Sequence, residues 1–261
     1  MKIGFIGTGD IAEAVITGMM RAELPIDSIA VSARSQHISS KLAQEYAKVQ
    51  VFDDNQQVVD AACDLIFLSV LPQQAEAVLT PLQFRNGQEI ASLISTIPVE
   101  NLAEWTGATG PITRAIPLPP VAELRAVTVL SGPSARLEAI FDQLGGVVVT
   151  HSLDEMNALT IPSALMGTFF GLQEIIVDWV GTKGVPEPDA RRYLSSLFLA
   201  LAQTGAGSDR TFPELRAAHS TPGGLNAQIF QVFTEGGGDK ALTEAMDSVM
   251  NRILAASAKQ D

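Results

Sequence analysis

Short apolar, β-branched runs recur through the first 150 residues of this chain and then stop. They read KIGFIG (2–7), IAVSAR (29–34), VQVF (49–52), LIFLSV (65–70), EIASLIS (89–95), ITRAIP (112–117), VTVLSG (127–132) and VVVT (147–150). Helix-compatible stretches separate most of them. A strand that is apolar throughout has both faces buried, and such strands alternating with helices build a parallel sheet covered on both sides. After Thr150 apolar residues recur at helical spacing to the end. The polar stretch HSLDE therefore marks a boundary near residues 150–154. The expected division is a doubly wound α/β domain over 1–151 and an all-helical domain over 152–261.

The helical half has a surface problem. Ala158 to Gln173 carries no charge over 16 residues, and Glu174 and Asp178 follow. The stretch is shorter than the roughly 20 residues that span a bilayer, so it reads as a helix buried in protein and not in a membrane. About a hundred residues can hardly cover so apolar a helix alone. A partner copy is expected, giving a homodimer or higher oligomer through the helical domain. Net charge is 17 − 29 = −12 with no Lys/Arg run, which argues against a nucleic-acid partner. Cys63 is the one cysteine and forms neither an internal disulfide nor a metal cluster, so it reads as inert core in a reducing, cytoplasmic compartment. The N-terminal apolar run is short and soon reaches Asp10 and Glu13, unlike a secretory signal.

The first strand runs into Gly7-Thr8-Gly9-Asp10-Ile11-Ala12 and then into a helix from about Ile11 to Arg21. This is the G-x-G-x-x-A form of the dinucleotide fingerprint of a Rossmann-type sheet. Gly7 permits the tight turn, Gly9 lets backbone approach the pyrophosphate, and Ala12 lets helix and strand pack closely. The helix N-terminus offers free N–H groups and a positive dipole end to the phosphates. Asp10 brings a charge that phosphate would not welcome, and its alternative role is to cap the helix. At the end of the second strand NAD sites place an acid for the ribose 2′-hydroxyl. Here Ser32, Arg34 and Ser35 stand instead, a set suited to a 2′-phosphate, so NADP is the expected cofactor.

With these motifs in order, the chain resembles the pyrroline-5-carboxylate reductase family. GFIGTGDIAEAV resembles the family's opening motif, LIFLSVLPQQ its fourth-strand signature, ITRAIPLPP the stretch that approaches the nicotinamide, and STPGGLNAQ its Ser-Pro-Gly-Gly signature. The resemblance spans nearly the full length. It implies a Rossmann domain followed by a helical domain that interlocks with its partner. It also implies that Asn55 lies along the nucleotide and that Val70, Leu71 and Pro72 border the cofactor. The departures are Leu71 for a usual Lys, Leu118 for an expected Asn, ALTIPSALMG in place of a segment rich in glycine and serine, and Leu225-Asn226 for a threonine pair. The cofactor half thus matches more fully than the substrate half.

The run HSTPGGLN (219–226) has its own physical reading. Thr221 suits an N-cap, and Pro222 suits the first helical position because its missing N–H would be unpaired there. Gly223 and Gly224 then present bare N–H groups in the first turn. A glycine-lined helix N-terminus is an anion site, and the same glycines also serve close helix packing. The resemblance implies the former, with Thr221, Gly223, Gly224 and Leu225 holding a substrate carboxylate. Asn226 falls on the family threonine that bonds near the imine nitrogen, and an amide can donate or accept there. Its other reading is a solvent-facing helix residue. His219 receives no role, and His37 and His151 form no cluster with carboxylates or Cys63, so no metal is expected. The implied reaction is NADPH-dependent reduction of a cyclic imine carboxylate, first among them 1-pyrroline-5-carboxylate to proline. The alternatives are a reductase of the same two-domain plan acting on another imine or carbonyl, and a non-catalytic NADP-binding sensor.

Overall fold

The computed structural model describes residues 1–62 and 64–257, so Cys63 lies outside the described residues. All eight apolar runs form strands, alternating with helices in chain order. They are β1 (Lys2–Ile6), α1 (Asp10–Arg21), β2 (Ser28–Ser32), α2 (Gln36–Glu45), β3 (Val49–Phe52), α3 (Asn55–Ala61), β4 (Leu65–Leu68) and α4 (Pro72–Leu79). Then come β5 (Glu89–Ser92), α5 (Val99–Thr106), β6 (Ile112–Ile116), a 3₁₀ turn (Pro119–Glu123), β7 (Thr128–Leu130), α6 (Ala135–Gln143) and β8 (Val147–Val149). The remainder is helical: α7 (Leu153–Thr160), a 3₁₀ turn (Ile161–Leu165), α8 (Met166–Gly181), α9 (Glu187–Ala206), α10 (Phe212–Ala218), α11 (Leu225–Glu235) and α12 (Gly238–Ser257).

The strands make one sheet in the order β3-β2-β1-β4-β5-β6-β7-β8. Every neighbouring pair is parallel except β6 and β7, which are antiparallel. The exception follows from the connection, because a 3₁₀ turn is too short to carry the chain back across a sheet face. β1 pairs with both β2 and β4, so the winding reverses there and opens a crevice at the carboxyl ends of β1 and β4.

Two buried clusters cover the two sheet faces. Phe5 and Phe67 stack at 4.6 Å between centroids, and Phe141 of α6 meets Phe67 edge-on at 6.4 Å. On the other face Ile6, Ile66 and Leu68 pack with Val58, Val59, Leu79 and Leu102. Close helix contacts need glycine. A Cβ on Gly4 would lie 2.7 Å from the Ala62 Cβ, and one on Gly18 of α1 would lie 2.4 Å from the Val121 carbonyl oxygen.

The chain divides into two compact units, one built on residues 1–160 and joined by α12 from Arg252, the other on Ile161–Asn251. Within the second, α8 and α9 pack through Phe169 and Phe198, ring centroids 5.7 Å apart. Yet its buried apolar side chains are only Ile161, Ala190 and Leu194. The stretch Ala158–Gln173, expected as one buried helix, is broken by the 3₁₀ turn around Pro162. α8 has no buried residue in the single chain, and Phe170 and Ile175 are 68% and 66% exposed. By length and composition alone the run Leu153–Gly181 is apolar enough to cross a membrane.

Gly18 offers a test of this packing. An exposed helical Gly→Ala change stabilises by about 1 kcal/mol. At Gly18 the added methyl meets backbone, so Gly18→Ala should instead cost about 1–3 kcal/mol. Chemical denaturation of the two proteins reads the sign.

Candidate active site

The turn between β1 and α1 can be formed only by glycine at its first position. Gly7 lies at φ 93°, and a Cβ there would sit 2.4 Å from the Ser69 carbonyl oxygen and 2.9 Å from the Val70 nitrogen. The β1–α1 turn is thereby seated against the β4–α4 turn, at the point where the strand order reverses. Gly7 N–H donates to Ser32 Oγ at 2.9 Å. The Thr8 hydroxyl donates to the Ser32 carbonyl at 2.7 Å, with Ser32 Oγ 3.2 Å away. Thr8 and Ser32 are both buried, so the fold itself uses these two hydroxyls to pin the turn to the end of β2.

Gly9 is the N-cap of α1, with open space where a Cβ would be. Asp10 is the first helical residue and makes no side-chain cap, which corrects the capping alternative: the cap position is already held by Gly9. The first-turn N–H groups of Asp10, Ile11 and Ala12 are the ones that a helix leaves without internal partners. Ala12 is fully buried against the sheet, as close packing requires.

Arg34 and Ser35 are placed differently from Ser32. Arg34 is exposed in the β2–α2 turn and has no ion pair among the described residues. Ser35 is the N-cap of α2 but makes no side-chain cap bond. Asn55 opens α3 behind Asp54, whose carboxylate accepts from Gln56 N–H at 2.9 Å. Leu71 is the N-cap of α4, 62% exposed, and Pro72 is its first residue. The structure therefore brings Gly7–Ala12 and Val70–Pro72 together at the carboxyl ends of β1 and β4, with Ser32, Arg34 and Ser35 at the neighbouring end of β2. Ser69 was not foreseen. Its carbonyl meets the Gly7 turn and its hydroxyl is buried without a hydrogen-bond partner. Nothing in its residue type signals this, because it follows from the register of β4 against β1.

The run HSTPGGLN belongs to the other unit. The helix does not begin at Thr221 and Pro222. Gly223 adopts φ 73°, Gly224 N–H donates to the Thr221 carbonyl at 2.8 Å, and α11 starts at Leu225 with Gly224 as N-cap. The left-handed glycine closes a turn where a helix was expected, so Thr221 is not a cap. Open space surrounds the Cβ position of Gly223, and Leu225 is 77% exposed. Asn226 Nδ2 donates to the His219 carbonyl at 2.7 Å and ties the first turn of α11 back to the end of α10. Thr221, Gly223, Gly224, Leu225 and Asn226 thus form one exposed turn in front of free helix N–H groups. No group of three metal-ligating side chains occurs among the described residues.

Comparison with known proteins follows this division. Residues 2–98 match the family model described as NADP oxidoreductase coenzyme F420-dependent, and residues 153–255 match the model described as pyrroline-5-carboxylate reductase dimerisation. The chain is 26% identical to the pyrroline-5-carboxylate reductase of Pseudomonas aeruginosa over 261 residues, covering 96% of this chain and 95% of that protein. It is likewise 26% identical to that of Corynebacterium melassecola, covering 96% of each. In structure it resembles 1-pyrroline-5-carboxylate reductase from Streptococcus pyogenes, with TM-score 0.83 and 24% identity over 97% of this chain and 98% of that one. It also resembles the pyrroline carboxylate reductase of Plasmodium falciparum, solved with NADP bound, with TM-score 0.82 and 16% identity over 98% of each.

Proposed function

Because this chain belongs to the pyrroline-5-carboxylate reductase family, we propose that it uses NADPH to reduce a cyclic imine carboxylate, first among them 1-pyrroline-5-carboxylate to proline. The division of labour follows the sequence, with 1–151 holding the cofactor and 152–261 the substrate and the dimer contact. The observation that carries the reading is the contrast between spent and unspent polar groups. Thr8 and Ser32 are consumed in holding the first turn. The N–H groups of Asp10–Ala12, Arg34 and Ser35 remain free for pyrophosphate and a 2′-phosphate. Bound there, the nicotinamide supplies the hydride.

The second turn suits the carboxylate. Leu225, Asn226 and Ala227 present first-turn N–H groups behind the open Gly223. A cyclic imine accepts hydride most readily when its nitrogen is protonated, and that nitrogen is then a donor. Asn226 spends its Nδ2 on the His219 carbonyl, which leaves Oδ1 as the end that can accept from the imine N–H. The role of Asn226 is thus to orient the protonated ring, with the proton drawn from solvent.

The helical half needs a partner. Its exposed apolar side chains on α8 stand beside a groove of about 670 Å³ whose lining includes Phe170, Glu174, Asp178, Glu187, Arg191 and Leu194. Carboxylates and an arginine interleaved with apolar side chains such as Phe170 and Leu194 fit a protein surface better than lipid. The partner is a second copy of this chain.

Three outcomes follow. Arg34→Ala should weaken NADPH by more than about tenfold and leave NADH nearly unchanged, because the lost bond is charge-assisted and reaches only the 2′-phosphate. Equal losses remove the assignment. Gly223 sits at a left-handed φ, so a bulky residue there would strain the turn, and Leu225→Glu is the cleaner probe. A carboxylate in the first turn favours the helix but repels an anionic ligand. We expect unchanged thermal stability, a loss of at least about tenfold in kcat/KM for 1-pyrroline-5-carboxylate, and a far smaller change for 1-pyrroline, which lacks the carboxylate. A uniform loss on both substrates sinks the carboxylate site. Finally, Phe170→Glu should disperse or unfold the dimer. A stable monomer of the unmodified protein at micromolar concentration in light scattering contradicts the interface.

A further inference from the structure

Arg114 lies within β6, and its side chain is almost wholly inside the protein, at 6% exposure. A buried guanidinium is tolerated only where its charge and its N–H groups are answered. Here they are answered in part. One terminal amino group donates to the Ser95 carbonyl. Nε is buried and has no hydrogen-bond partner. No carboxylate comes within ion-pair distance of Arg114 among the described residues. Burial holds the guanidinium below the usual arginine range, and the field of Glu100 offsets this in part.

The side chain lines a cavity of about 380 Å³ on the β6–β7–β8 side of the sheet, between the start of α5 and the start of α7. Several other donors meet there. Pro98 is the N-cap of α5 and has no side chain to cap it, and Pro98, Val99 and Glu100 all line the cavity. The first-turn N–H groups of that eight-residue helix have no partner within it, and its N-terminus stands at this cavity. Ser131 Oγ accepts from the Arg114 backbone N–H at 2.9 Å, so its own hydrogen is directed elsewhere, and Ser131 also lines the cavity. His151 stands on the rim. None of the residues assigned to the cofactor or to the substrate carboxylate contributes to the lining. Two strands, β4 and β5, separate β6 from the Gly7 turn.

We propose that this cavity is a second anion site, which takes a small molecule bearing a carboxylate or phosphate group and holds it by Arg114, the α5 N-terminus and the Ser131 hydroxyl. An oxyanion placed there gives the buried guanidinium charge the counter-ion it lacks. The volume leaves room for a small organic body behind the anionic group. Glu100 is the one acid in the lining. It is exposed, it stands at the mouth, and it opposes an incoming anion.

The test uses inorganic phosphate as the probe, titrated into the full-length protein at saturating NADPH and constant ionic strength, and followed by calorimetry and by thermal melting. The unmodified protein should show saturable phosphate binding and a higher melting temperature. Arg114→Met should weaken that binding by at least about tenfold, the loss expected for a charge-assisted contact. Arg34→Ala and Leu225→Glu should leave it intact. Should Arg114→Met not fold, Glu100→Gln at the exposed mouth reads the same site, with phosphate bound several-fold more tightly. Crystals grown with selenate should place an anomalous peak in the cavity beside the Arg114 guanidinium. Phosphate binding that is absent, or unaltered by Arg114→Met or by Glu100→Gln, overturns the proposal. So does selenate found only at the two helix N-termini already assigned, or a carboxylate of the partner subunit seated on Nε in the assembled protein.

Discussion

The approach of one backbone turn to another governs the nucleotide half. Gly7 packs where a single added carbon would overlap the Ser69 carbonyl, so the β1–α1 and β4–α4 turns lie side by side only because that carbon is missing. The rest of the half is arranged to keep this approach. Thr8 and Ser32 spend their hydroxyls inside the fold to hold the turn against β2. The stacked rings of Phe5 and Phe67 fix β1 and β4 in register beneath it. The consequence is a crevice at the carboxyl ends of β1 and β4, where α1 begins with first-turn N–H groups that have no partner within the helix.

The two halves bury their apolar residues by different means. In the first, the sheet is covered on both faces and strand residues such as Phe5, Ile6, Phe67 and Leu68 are fully buried. In the second, helices meet along narrow contacts and leave Phe170, Ile175, Trp179, Ile229 and Val232 largely exposed in the single chain. A helical unit of this size with three buried apolar side chains has little to hold it together alone. Its stability is therefore tied to what covers those faces, and the order of a turn carried by it, such as Thr221–Asn226, depends on the same cover.

The strands were legible in the sequence because their short runs are mostly apolar and β-branched and are separated by helix-compatible stretches, although β3 and β8 are only partly buried. The antiparallel β7 also has a sequence signal: ITRAIP ends at 117 and VTVLSG begins at 127, too few residues for a crossover helix. Three features of the candidate sites were not. Thr221-Pro222 satisfies the residue preferences of a helix start, but a left-handed Gly223 two residues later ends that option, and sequence does not show which sign of φ a glycine takes. Ser32 has the right chemistry for a 2′-phosphate, yet its hydroxyl is turned inward by its place at the end of a buried strand. Arg114 reads as an ordinary strand arginine, and only burial against an incomplete set of acceptors distinguishes it.

Charge placement reconciles an acidic chain with anionic ligands. Among the described residues Lys41, Arg125, Arg136 and Lys240 have a close acidic partner, as in Lys41–Glu13 at 2.7 Å and Arg136–Glu89 at 3.0 Å. Arg34 and Arg114 are among the cations without such a partner, one in solvent beside the nucleotide crevice and one buried beside a cavity. The net charge of −12 acts at long range, and at physiological ionic strength it is screened beyond about 8 Å. Helix N–H groups and an uncommitted guanidinium act at contact, where water and salt are largely excluded. The total charge therefore bears on how fast an anion arrives, while the placement of Arg34, Arg114 and the helix N–H groups bears on where the proposed sites would hold it.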